Sequence, residues 1–129
     1  MIPKYILKEV LFYKEKYKDQ TEITRLVPNE HYIEYTYEVT GNPYNYITHD
    51  KINIYELAHK CKEWAVNLSP NKHALSSYPR WGDIRNYKKT NGSYYICQHL
   101  VSGVQFEAET EPEAIFKACE WILEQVGKK

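Results

Sequence analysis

The sequence predicts an α+β fold, an antiparallel sheet of two hairpins plus a short strand packed with three main helices, in the order α-β-β-α-β-β-β-α. Three observations carry this expectation. Residues 31–39 alternate, with Ile33, Tyr35, Tyr37 and Val39 on one face and Glu34, Thr36 and Glu38 on the other, the period of a half-buried strand. Asn53 and Thr110 each open an apolar helical stripe with a glutamate three positions later, the pattern of a capped helix start. A chain of 129 residues with 43% apolar side chains has the length and apolar content for one domain with its own core.

From the N-terminus, residues 3–18 read as an amphipathic helix, with Ile6, Val10, Tyr13 and Tyr17 at helical spacing and Leu7 and Leu11 widening the stripe. Asp19–Pro28 reads as a connector. The strand over 31–39 turns at Gly41-Asn42-Pro43 and returns over Tyr44–Thr48. The next helix runs from the Asn53 cap, buries Ile54, Leu57, Ala58, Cys61, Ala65 and Leu68, and stops at Ser69-Pro70-Asn71. A short strand follows over 74–78, then an excursion over 79–92 ending in Asn91-Gly92. Residues 93–101 and 104–109 form a second hairpin around Ser102-Gly103. The last helix begins at Thr110, with Pro112 in its first turn, Ala114, Ile115, Ala118, Cys119, Ile122 and Val126 inward, and Gly127 at its end.

The two later helices align at a constant offset of 57 residues, Asn53 with Thr110, Glu56 with Glu113 and Trp64 with Trp121. The intervening strands show no repeat, which favours two helices solving one packing problem against one sheet. Trp64 and Trp121 are expected at the edge of the buried stripe, where an indole N–H reaches water. The whole is read as a single domain over 1–129, with an N-terminal helix and hairpin over 1–50 and a helix–strands–helix sandwich over 51–129.

Composition narrows the setting. No apolar run approaches the roughly 18 residues of a membrane span, and Lys8 and Glu9 interrupt the N-terminal apolar stretch, unlike a signal peptide. Three cysteines, Cys61, Cys97 and Cys119, lie inside periodic segments, which points to a reducing cytoplasm rather than a disulfide framework. Formal net charge is zero, with no global pull toward nucleic acid. Residues 72–89 are nonetheless basic and residues 103–124 acidic, which allows a homodimer. Thirteen tyrosines mostly follow strand alternation, where the ring packs and the hydroxyl stays wet.

Chemistry-bearing residues are sparse. Cys97 and His99 share a strand face, so a cluster with Cys61 and Cys119 is conceivable, but no metal-ligand spacing accompanies it. Neither metal nor cofactor is expected. A two-residue Ser102-Gly103 turn puts Cys97 and His99 on the core face, whereas a three-residue loop from Val101 puts them outside. Strand neighbours two apart seldom reach nucleophile–base geometry, and no catalytic residue is assigned. The segment Tyr78–Lys89 mixes Arg, Trp and Tyr, the types enriched at interface hot spots. A partner-binding site is therefore expected at Arg80, Trp81, Arg85, Tyr87, Lys88 and Lys89. The same mixture can stack bases and neutralise phosphates.

The helix–strand–hairpin–helix order over 53–126 resembles a double-stranded RNA-binding domain. That family places lysines at the start of its last helix, where this chain has Thr110-Glu111-Pro112-Glu113. The stretches Asn53–Ala65 and Glu109–Leu123 resemble small phage and prophage proteins of the α–β–α sandwich type, a likeness covering residues 51–125. It implies an uncharacterised accessory protein of a mobile element and carries over no functional residue. The expected function is a non-enzymatic protein that binds a protein partner, for example as an inhibitor of a host-defence or regulatory protein. Alternatives are a nucleic-acid binder using the 78–89 loop, and a small-molecule binder or enzyme with a pocket between helix and sheet.

Overall fold

The computed structural model describes residues 2–41, 45–68, 73–81 and 93–127. Three helices and two three-stranded antiparallel sheets follow in the order α-β-β-β-α-β-β-β-α. The class is the α+β class expected, with one strand more. The chain divides into two compact units, Met1–Lys60 and Cys61–Lys129, the division falling inside the second helix.

In the first unit, α1 (Lys4–Phe12) buries Ile6, Leu7 and Val10 and packs along the first strand. The helix expected over 3–18 stops at Phe12 because the basic run beyond it has little to bury, Tyr17 being exposed. Turns closed by Glu15 N–H to Phe12 O (2.9 Å) and Lys18 N–H to Glu15 O (3.2 Å) fold that run back, and Lys18 Nζ meets Glu9 at 2.8 Å. Next come β1 (Thr21–Pro28), β2 (Tyr32–Val39) and β3 (Tyr46–Asn53), a meander in sequence order.

Strand β1 replaces the expected connector. Its register against β2 shifts between Ile23 and Arg25, so Thr21 and Ile23 point inward before the bulge and Leu26 after it. A bulge inserts one residue and so breaks the period of two that identifies a strand. Strand β3 continues five residues past the expected end at Thr48, pairing Asp50 with Tyr35 and Ile52 with Ile33. The expected turn residues Asn42 and Pro43 lie outside the described residues.

Helix α2 (Ile54–Asn67) starts directly after β3. Asn53 Oδ1 accepts the N–H groups of Tyr55 (2.8 Å) and Glu56 (3.3 Å), two of the donors a helix start leaves open. Leu57, Ala58, Cys61, Trp64 and Ala65 are buried. Trp64 departs from expectation: it is fully buried, and its indole N–H has no hydrogen-bond partner among the described residues.

The second unit repeats the meander with β4 (Leu75–Trp81), β5 (Ser93–His99) and β6 (Gln105–Ala108), followed by α3 (Glu111–Gly127). Strand β4 extends three residues beyond the expected 78 and absorbs Pro79, which an edge strand tolerates because its outward N–H is not needed. Helix α3 packs on all three strands. Thr110 Oγ1 accepts Glu113 N–H at 3.4 Å as its cap, and Ala114, Ile115, Ala118, Cys119 and Ile122 form the buried stripe. Val126, expected inward, is 37% exposed because the stripe ends a turn earlier.

Candidate functional site

The β4–β5 ladder pairs residue by residue to its end, Arg80 opposite Tyr94 and Trp81 opposite Ser93. Arg80 is exposed, and it and Trp81 are the last described residues of β4. Of the six expected partner-binding residues, Arg80 and Trp81 close β4, while Arg85, Tyr87, Lys88 and Lys89 lie outside the described residues.

Cys97 and His99 are both buried, 0% and 4% exposed. The hairpin loop is neither of the two expected lengths. Cys97 pairs with Phe106, and four residues, Leu100–Gly103, make the turn, closed by His99 N–H to Val104 O at 2.8 Å. This register has the same parity as the two-residue turn and so puts both side chains on the inner face. Gly103 sits at φ +80°, a conformation glycine adopts without strain. All three cysteines are free and buried. Burial first, then the neighbouring Cys119, pushes the Cys97 thiol up to about 12, so it is not a nucleophile at neutral pH. Cys119 spends its Sγ–H on Cys61 O at 3.9 Å. Among the described residues, no three His, Cys, Asp or Glu side chains converge as metal ligands.

Around His99 the structure assembles a polar chain. His99 Nδ1 accepts the N–H of Ser102 at 3.2 Å and lies 2.7 Å from Ser102 Oγ. Its proton therefore resides on Nε2, which donates to His73 Nδ1 at 2.8 Å. Trp121 stands edge-on to the imidazole at 5.0 Å. Burial lowers the basicity of His73; burial and then the charge of His73 lower that of His99. The order hydroxyl, imidazole, imidazole is that of an activated serine. However, Ser102 Oγ also accepts Val104 N–H at 3.2 Å, so the bonds of Ser102 close the hairpin turn, and the His73 bond ties that turn to the segment leading into β4. The chain acts as a staple for the turn.

Two concavities of the first unit bring aromatic or titratable side chains together. One, of about 510 Å³, lies on the sheet face carrying Arg25, Glu34, Thr36, His49 and Lys51. Thr36 Oγ1 and His49 Nδ1 meet there at 2.9 Å. The other, of about 300 Å³, lies between α1, the opposite face of β2 and β3, and the first turns of α2. Phe12, Tyr37 and Tyr35 form its aromatic wall, with ring centroids 4.9 Å and 6.1 Å apart. Tyr35 is 8% exposed, and its hydroxyl reaches Asp50 Oδ2 at 3.5 Å. Burial, then the charge of Asp50, raises the Tyr35 hydroxyl far above its usual value. Sequence reasoning missed this pocket because it ended the strand two residues before Asp50.

Fold and surfaces together define a two-unit antiparallel α+β protein with an exposed arginine at a hairpin end and an aromatic, acid-lined pocket. No helix is long and apolar enough to cross a membrane. The chain matches no known family model, no curated protein and no solved structure.

Proposed function

We propose that this chain is a non-enzymatic accessory protein of a phage or mobile element that binds a protein partner in the cytoplasm, using the segment from Arg80 to Lys89. The observation that carries the reading is the exposed Arg80 at the last rungs of the β4–β5 ladder. Arg80 belongs to an Arg-Trp-Tyr-rich run in the sequence, the composition of interface hot spots. The buried, protonated Cys97 supports binding over thiol chemistry. Three free buried thiols fit a reducing compartment.

The test is affinity capture from host lysate with the full chain and with the Arg80→Ala/Trp81→Ala/Arg85→Ala variant. A protein recovered by the first and lost by the second supports the proposal, and equal recovery refutes the site. Retention on nucleic acid at low salt, abolished by the same variant, would instead favour the nucleic-acid reading, whose signature is steep salt dependence.

A further inference from the structure

The 300 Å³ pocket of the first unit has walls of a particular chemistry, independent of the Arg80 segment. Its floor is the contiguous ring series Phe12, Tyr37 and Tyr35. Aromatic faces carry negative potential and attract cations within about 6 Å. Its rim carries Asp50 and Glu56, and neither carboxylate has an ion-pair partner among the described residues.

Two lysines also border the pocket, and their placement decides the sign. Lys51 sends its ammonium to the other side of the sheet, where it lies 4.9 Å over the ring of Tyr32. Tyr32 and Lys51 belong to the face opposite Tyr35 and Asp50, by the alternation of paired strands. Among the described lining residues, half-buried Lys60 is then the one cation opposing the two carboxylates. The pocket therefore carries net negative charge over an aromatic floor. The Tyr35 hydroxyl, held un-ionised by burial and by the charges of Asp50 and Glu56 among others, registers the same field.

We infer that this pocket binds an organic cation, an ammonium or guanidinium group seated on Phe12, Tyr35 and Tyr37 and paired with Asp50 and Glu56. The cation has two possible sources, a free small amine or a lysine or arginine side chain of another protein. A metal ion fits less well, since two carboxylates are fewer than the six or more oxygen ligands a hard cation takes, and among the described residues no three His, Cys, Asp or Glu side chains converge.

The experiment uses the full chain at low salt, titrated by NMR with choline, with its uncharged isostere 3,3-dimethylbutanol, and with a short lysine- and arginine-containing peptide. Saturable shifts of the pocket residues are expected with choline or the peptide, and about tenfold weaker ones with the isostere. Tighter choline binding identifies a free cation, and tighter peptide binding identifies a side chain. Asp50→Asn is expected to weaken binding about tenfold. Lys60→Gln removes the opposing ammonium and is expected to tighten binding severalfold, a readout that survives any loss of stability in the Asp50 variant. No saturation by either cation, equal binding of the isostere, or a Lys60→Gln variant that binds more weakly would overturn the inference. These results bear on the pocket alone, since the Arg80 variant leaves all of its residues in place.

Discussion

Acidification should unlatch the β5–β6 turn. Ser102 N–H and Ser102 Oγ–H both address His99 Nδ1, and His99 Nε2–H addresses His73 Nδ1. A proton added to His99 Nδ1 sets donor against donor at the Ser102 N–H, while the Ser102 hydroxyl can turn to accept, and one added to His73 Nδ1 breaks the bond between the imidazoles. Each such bond contributes about 1 kcal/mol, and a buried donor left unmatched costs about 1–3 kcal/mol. The imidazolium would gain an edge-on indole neighbour in Trp121, but a cation–aromatic contact returns only about 1 kcal/mol. The net loss is thus about 1–3 kcal/mol, a sizeable share of a small protein's stability. The direction follows from both imidazoles being less basic in the folded chain than the usual 6.5. The unfolded chain then binds more protons, so the stability is fully present above 6.5 and is lost as pH falls below it. No carboxylate contributes to the shift of His99, whose one charged influence is His73. Urea unfolding followed by circular dichroism from pH 8 to pH 5 checks this, with His73→Gln/His99→Gln as the reference. A wild-type midpoint that is flat over that range would refute the reasoning. So would a double variant that loses stability with the same slope.

Three further outcomes follow from the packing. Asn53→Ala should destabilise by about 1 kcal/mol, and Thr110→Ala by less, because Asn53 holds two N–H groups and Thr110 one at 3.4 Å; chemical denaturation of the two variants gives the order. Trp64→Phe should cost well under the ~3–5 kcal/mol of a Trp→Ala change, since the smaller ring also removes a buried N–H without a partner; a loss as large as that of Trp64→Ala would contradict this. Iodoacetamide at neutral pH should leave Cys61, Cys97 and Cys119 unmodified in the folded chain and alkylate all three in urea, as read by mass spectrometry, because all are buried and the thiolate is the reactive form.

What the sequence made legible was whatever obeys a simple period or a local cap. Ile33, Tyr35 and Val39 are buried as their alternation requires, and the caps at Asn53 and Thr110 are in place. Strand β1 escaped because one bulge reverses its inward face halfway along. The reach of β3 escaped because Thr48-His49-Asp50-Lys51 is polar on both faces, as an edge strand can be. Of the expected binding residues, Arg80 is exposed as a contact residue must be. The His73–His99–Ser102 chain was not legible, since its members stand 26 and 3 residues apart and meet only through the hairpin register. The aromatic pocket was hidden for the same reason. Phe12 and Tyr35 belong to different elements, and Asp50 joins them only through its pairing with Tyr35.

The 57-residue correspondence takes on a different meaning with two sheets in view. Two helices packed against one sheet would account for matched caps and stripes by shared environment alone. Instead each helix follows its own three-stranded meander, in the same strand order and with the same antiparallel pairing. Leu57, Ala58, Cys61 and Ala65 are buried where Ala114, Ile115, Ala118 and Ile122 are buried. In both starts the cap oxygen accepts the N–H of the glutamate three residues on, at 3.3 Å and 3.4 Å. The element order β-β-β-α therefore occurs twice, but the packing differs: α3 lies on all three strands before it, whereas the helix along the first meander is α1, on β1. The strands also differ in detail, β1 carrying a bulge and β6 having four residues. Helix α2 closes the first unit and opens the second. The division of the chain at Lys60 and Cys61 falls inside the span of α2.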